Sequence, residues 1–176
     1  MNKASIIACA RRIREQYGTT DPDELCREAG IILMYSQMGT EASACKGFIL
    51  QCGKSTAITI NSDLAEDMQQ IIKLHELSHY FLHVSTGLAG AFQDFSAFDE
   101  AAAEEYEANL LTAELLISDD QVEELLNEGC DFFECAARLS VPAELLDFKL
   151  RLMREKGAAI AEAPIAALGT FMQRLR

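Results

Sequence analysis

The spacing of apolar positions divides the chain into short elements of two periods. Residues 3 to 17 place Ile6, Ile7, Ala10 and Ile13 at helical spacing with arginines between them, and Gly18 supplies a stop. Asp21 and Pro22 form the cap and first turn of a short helix ending at Gly30. The period then changes. Ile31 to Ser36, Cys45 to Leu50 and Ser55 to Ile60 are short, β-rich and bounded by turn residues, which predicts three strands. In the third, Ile58 and Ile60 alternate with Ala57 and Thr59, so one face can pack on helices. We read this strand as an edge able to accept an extended peptide.

After Asn61, Ser62 and Asp63, a helix starting near Leu64 or Glu66 runs through the segment from Ile71 to Val84. Its apolar residues are too dense for one stripe, so it is expected to be largely buried. From Ser85 the chain loses its period and reads as a loop, with Phe92, Phe95 and Phe98 in a turn packed on the core. Glu100 to Ile117 is rich in alanine and leucine and strongly helix-favouring. Ser118 caps a helix from Asp119 to about Asn127, and two more follow over Phe132 to Leu139 and Pro142 to Lys156. The expected class is α+β: a small three-stranded sheet packed on helices, followed by a helical C-terminal part. The expected division is a domain over 1–117, a helical extension resembling a helix-turn-helix in outline over 118–156, and a tail over 157–176.

Composition narrows the setting. Half the residues are hydrophobic, yet no apolar run reaches the roughly 20 residues of a membrane span. The first arginines follow a short apolar segment, the reverse of a secretory signal, so a cytoplasmic protein without membrane association is expected. Six cysteines lack any paired CxxC spacing and read as reduced thiols. A net charge of -13 opposes a phosphate-binding surface, and no direct nucleic-acid binding is expected. The acids cluster: Asp94 to Glu114 holds seven and no lysine or arginine. Some of these carboxylates are candidates to face a cation.

The chemistry centres on His75, Glu76 and His79, in the pattern HExxH. On a helix, residues i and i+4 share a face, so two imidazoles can reach one ion while the intervening glutamate stays free to act on water. A zinc enzyme needs a third protein ligand. Ser85 stands where a metzincin would carry its third histidine. His83 lies one turn past His79, about 12 Å along the axis from His75, too far for a common ion. It is expected in the core or supporting the ligands. The acids of the following helix remain, with Glu104, Glu105 and Glu107 as candidates. Glu107 precedes the apolar pair Leu110 and Leu111 and so sits nearest the buried face.

The segments HELSHYFLH and EYEANLLTAELLI together resemble the ImmA/IrrE family of zinc metallo-endopeptidases, whose patterns run HExGHxxLH and ExEANxFAAELLMP. The likeness spans roughly Cys45 to Ile117, and ITINSDL is similar to that family's entry into the histidine helix. Ser78 replaces a glycine, Leu111 a phenylalanine, and Ile117-Ser118 the Met-Pro ending. The resemblance implies a zincin-like domain holding Zn2+ on His75, His79 and Glu107, with Glu76 as catalytic base in peptide hydrolysis. It also implies a protein substrate, a helix-turn-helix repressor of a mobile element or stress regulon. Tyr106, Tyr80 and His83 are candidates to stabilise the oxyanion. The alternative is a non-catalytic protein that binds and antagonises such a repressor, against which the intact Glu76 speaks.

Overall fold

The computed structural model describes residues 1–41, 43–84, 98–169 and 171–174. Helix α1, Lys3–Tyr17, starts where the Asn2 side chain accepts from Ser5 N at 2.8 Å and ends at Gly18, whose left-handed backbone returns its N–H to Arg14 O. Its stripe of Ile6, Cys9, Ala10 and Ile13 is buried. Helix α2, Pro22–Glu28, is capped by Asp21 as the sequence predicts. The expected loop from Ser85, with Phe92 and Phe95, lies outside the described residues, and Phe98 begins the next helix.

Strands β1 (Ile32–Ser36), β2 (Gly47–Cys52) and β3 (Ser55–Asn61) form one sheet in the order β1-β3-β2. β1 runs parallel to β3 and β2 antiparallel to it. β3 is therefore the central strand and not the expected edge. Its hydrogen-bonding groups are engaged on both sides, because the chain crosses over between β1 and β3 and then closes a hairpin from β2. Directly paired residues share a face. Ile58 pairs with Leu33 and Ile49 towards the core, whereas the rows Ile32-Ala57-Leu50 and Met34-Thr59-Phe48 lie on the other side, leaving Ile32, Met34, Phe48 and Leu50 exposed.

Asn61 ends β3 as a hub rather than as simple punctuation. Fully buried, it donates to Gly39 O and Cys45 O and accepts from Met38 N and Asp63 N. One side chain thus uses both donors and its acceptor oxygen to fix the loop that precedes β2. The sheet then packs on helix α3, Glu66–His79. The approach is close: a Cβ on Gly47 would stand 2.7 Å from Ile72 Cγ2 and 3.1 Å from the Thr59 carbonyl oxygen. Every residue of α3 from Ile71 to His79 is buried, as its apolar density predicts. The helix widens into a π turn over Tyr80–Val84, a distortion often found at functional sites.

Helix α4, Phe98–Leu116, packs along α3 on one side and against α1 on another. Helices α5 (Asp119–Asn127), α6 (Phe132–Arg138) and α7 (Ala143–Glu155) follow within a residue or two of their predicted bounds. Caps explain this for the first two: Ser118 with Gln121 and Asp131 with Glu134 form capping boxes, while α7 starts directly after Pro142. α7 lies against both α4 and α1, so Leu145, Phe148, Leu152 and Met153 share one core with Ile6, Leu77 and Leu111. Buried charge joins these helices as well. Glu114 of α4 accepts from Lys149 Nζ at 2.9 Å and Lys156 Nζ at 2.7 Å, and both lysines also meet Asp119. Among the described residues, no helix is long and apolar enough to cross a membrane.

Candidate metal centre

Two helices supply the site. Along α3, His75 and His79 stand one turn apart, their ring centroids 4.8 Å from each other and both rings buried. Their Nε2 atoms approach to 3.2 Å, so both rings turn towards one point. Glu105 of α4 meets that point from across the helix pair: Oε2 lies 3.3 Å from His75 Nε2 and Oε1 3.3 Å from His79 Nε2. Among the described residues this trio is the one group of side chains whose ligand atoms, all within 4.8 Å of one another, could hold a metal ion.

The dimensions suit a small tetrahedral ion. Bonds of about 2.0–2.1 Å to nitrogen or oxygen place tetrahedral ligands about 3.3–3.4 Å apart. The Nε2–Nε2 spacing of 3.2 Å matches that edge, and Glu105 presents a different carboxylate oxygen to each histidine at 3.3 Å. Two imidazoles and one carboxylate are also the donor set of a catalytic zinc centre with a fourth position left for water. Ligand histidines are commonly oriented through their other ring nitrogen, but among the described residues neither Nδ1 has a hydrogen-bond partner.

Glu107, the third ligand implied by the family resemblance, points elsewhere. Its carboxylate pairs with the Met1 ammonium. The reason lies in α4 itself, which is buried on more than one side from Ala108 to Leu115. Glu105 shares a face with Ala108 and Thr112, the face towards α3, whereas Glu107 shares one with Leu111 and Glu114, towards α1 and α7. Nearness to buried leucines therefore did not identify the face that meets the histidines. The usable signal was the small pair Ala108 and Thr112, which lets two helices approach closely.

Glu76 lies beside the trio, 8 % exposed. Burial, reinforced by the nearby Glu105 and opposed by His79, pushes its carboxyl up to about 7. The Glu105 carboxyl moves the other way. Burial would raise it, but hydrogen bonds with His75 and His79 outweigh that and hold it far below the usual range. His83 is buried in the π turn and outside the trio, its ring 5.7 Å from that of His79. Burial first and His79 second push it down to about 4, while a hydrogen bond to the backbone of Glu104 ties the π turn to α4 one residue before Glu105. Sequence reasoning missed this tie. Tyr106 packs edge-on against Phe148, with the Arg151 guanidinium over its ring, so it faces α7 and not the histidines. Tyr80 stacks against Phe81 in the π turn.

Comparison with known proteins points to a metallopeptidase family. The peptidase M78 model, described as an IrrE N-terminal-like domain, matches residues 26–151, which run from α2 well into α7. Metallopeptidase ImmA of Bacillus subtilis (strain 168) is 28% identical over 158 residues, covering 87% of this chain and 88% of that protein. An uncharacterized immunity region protein 2 of Bacillus phage phi105 is 28% identical over 144 residues, covering 82% and 88% respectively. With a trio that could hold a metal ion joining its two motif-bearing helices and a family match over most of its length, this chain belongs to the M78 metallopeptidases of the ImmA/IrrE family.

Proposed function

We propose that the chain is a zinc-dependent endopeptidase in which His75, His79 and Glu105 hold the ion and Glu76 is the catalytic base. The observation that carries this reading is the convergence of two Nε2 atoms 3.2 Å apart with a carboxylate whose two oxygens each lie 3.3 Å from one of them, and a second, buried acid alongside. Glu105 takes the place that the resemblance gave to Glu107. When bound there, a zinc ion supplies Lewis acidity that polarises a scissile carbonyl and acidifies water.

The chain's own residues do the rest. His75 and His79 turn their Nε2 atoms inward from the buried half of α3, Ile71 to His79, which holds the site rigid. The Glu76 carboxyl, with a proton affinity near neutrality, takes the proton of the attacking water and returns it to the leaving amine. Burial of both histidines and Glu76 keeps bulk water from competing for these groups. A substrate added by main-chain hydrogen bonds uses β1 or β2, since β3 is paired on both sides.

The substrate is a protein, and we assign it as a helix-turn-helix repressor of a mobile element or stress regulon. The immunity-region name of the phage relative supports that class. Electrostatics suit it too, because a chain of net charge -13 attracts a basic DNA-binding partner. Zinc content and cleavage together test the proposal. Wild type and Glu76→Gln should each bind close to one zinc per chain, and only wild type should cut a helix-turn-helix protein encoded beside its gene. Wild type that takes up no zinc on titration refutes the metal assignment, and fragments that persist with Glu76→Gln refute Glu76 as base. Zinc-loaded wild type that binds such a repressor without cutting it leaves the non-catalytic antagonist as the reading.

A further inference from the structure

Two cysteines, Cys130 and Cys135, lie at the corner between α5 and α6, away from the candidate metal centre. All six cysteines are free: Cys9, Cys26 and Cys135 are buried, Cys45 and Cys52 are exposed, and Cys130 is half-buried. Cys130 has a specific partner, since Arg138 Nη1 donates to its sulfur at 3.3 Å while the same guanidinium pairs with Glu128. Cys135 lies five residues on. With Asp131 as the cap of α6, Cys130 occupies the position before the cap and Cys135 the fourth helical position. Those two positions meet across a helix entry in a hydrophobic staple. The capping box of Asp131 and Glu134 fixes that entry, and Cys135 Sγ reaches to 3.8 Å from the Cys130 carbonyl oxygen. On the other side, Cys130 N is tied to Leu125 O. One cysteine is thus half-buried beside a cation, and the other is 1 % exposed with its sulfur against the first one's backbone.

We propose that Cys130 and Cys135 form a peroxide-reactive dithiol that closes to a disulfide across the first turn of α6. The oxidant is a hydroperoxide. The Cys130 sulfur attacks its terminal oxygen, the O–O bond breaks, and the displaced oxygen leaves as an alcohol, or as water from hydrogen peroxide, with the thiol proton. Cys130 is then a sulfenic acid. The Arg138 guanidinium, in contact with the Cys130 sulfur, is placed to donate a hydrogen bond to the departing oxygen. Next the Cys135 sulfur attacks the sulfenic sulfur, forming the S–S bond and breaking the S–O bond, and the hydroxyl departs with the Cys135 proton as water. Two thiols lose two electrons and one hydroperoxide gains them. The order of the steps follows from burial, which raises the Cys135 thiol and keeps it protonated until the sulfenic acid forms next to it.

The exposed Cys45 and Cys52 provide the internal comparison. Reduced full-length protein is treated with hydrogen peroxide in small molar excess, free thiols are alkylated, and cleavage after glutamate severs the chain at Glu134, between the two cysteines. Fragments still joined through Cys130 and Cys135 should appear before Cys45 or Cys52 is oxidised. Cys135→Ser and Cys135→Ala should instead accumulate a Cys130 sulfenic acid that dimedone traps. Arg138→Met should slow closure severalfold. Earlier oxidation of Cys45 or Cys52, no dimedone adduct at Cys130 in either Cys135 variant, or closure at the wild-type rate in Arg138→Met would overturn the proposal.

Discussion

Ser78 Oγ lies 3.1 Å from Thr112 Oγ1, joining the helix that carries the histidines to the helix that carries Glu105. Both residues are fully buried, and each hydroxyl also lies 2.8 Å from a carbonyl of its own helix, Leu74 O for Ser78 and Ala108 O for Thr112, so one hydroxyl donates to its carbonyl while the other donates its single proton across the pair. The serine that replaces the family's glycine is therefore matched by a hydroxyl on the facing helix. Ser78 adjoins His79, and Thr112 lies two turns from Glu105 on the same face, so the pair sets the register of the metal trio. Ser78→Ala and Thr112→Val should each cost about 1 kcal/mol, the usual net worth of a buried hydrogen bond. In urea denaturation the double variant should lose less than the sum of the two, and zinc competition titrations should show weaker binding in each. Strict additivity in the stability measurement would argue that the two hydroxyls do not interact.

Glu105 and Glu107 make opposite predictions from positions two residues apart. Glu105→Gln should lower zinc affinity by at least about tenfold, since loss even of a group supporting a ligand costs 10–100-fold. Glu107→Gln, which removes only the pairing with the Met1 ammonium, should keep wild-type zinc content. Zinc analysis of the two dialysed proteins decides the matter: metal lost from Glu107→Gln and kept by Glu105→Gln would restore the assignment drawn from resemblance.

Gly47 sits where β2 touches the histidine helix, and its substitution tests how tightly the sheet and α3 are joined. In Gly47→Ala the new methyl would meet Ile72 Cγ2 at 2.7 Å and the Thr59 carbonyl at 3.1 Å. The isoleucine methyl can yield, but the backbone oxygen cannot. Overpacking of this kind costs about 1–3 kcal/mol, and thermal denaturation should show the melting temperature fall. An unchanged melting temperature would mean that the strand shifts freely.

Stability at low pH should depend on Asp119. Burial would raise its carboxyl, but hydrogen bonds from Lys149 and Lys156 outweigh that and hold it below its ordinary value. With the folded value depressed, the stabilisation is complete above the unfolded value of about 3.9 and is lost as pH falls through the folded one. Asp119→Asn removes this contribution at neutral pH and should flatten the acid limb. Urea midpoints compared between about pH 7 and about pH 3 should therefore converge for the two proteins as pH falls. Parallel curves would show that Asp119 takes no part in acid unfolding.

Much of this molecule is legible in local sequence because local forces set it. Asn2, Asp21, Ser118 and Asp131 cap helices where their side chains reach the first free N–H groups, and the HExxH spacing places His75 and His79 on one helix face whatever surrounds them. The apolar density from Ile71 onward likewise foretold a buried helix. Three things were settled only by packing. β3 became the central strand because β1 crosses over to pair with one side while the β2 hairpin fills the other, and short strands of similar composition carry no mark of their order. Tyr106 turned towards Phe148 because α7 folds back onto α4. The acid that faces the histidines is Glu105 because α4 is enclosed by α3 on one side and by α1 and α7 on another. A helix buried on several sides has no single inward face for periodicity to reveal, so the contacts between α3 and α4, Ser78 with Thr112 and the two histidines with Glu105, show which side meets the histidines.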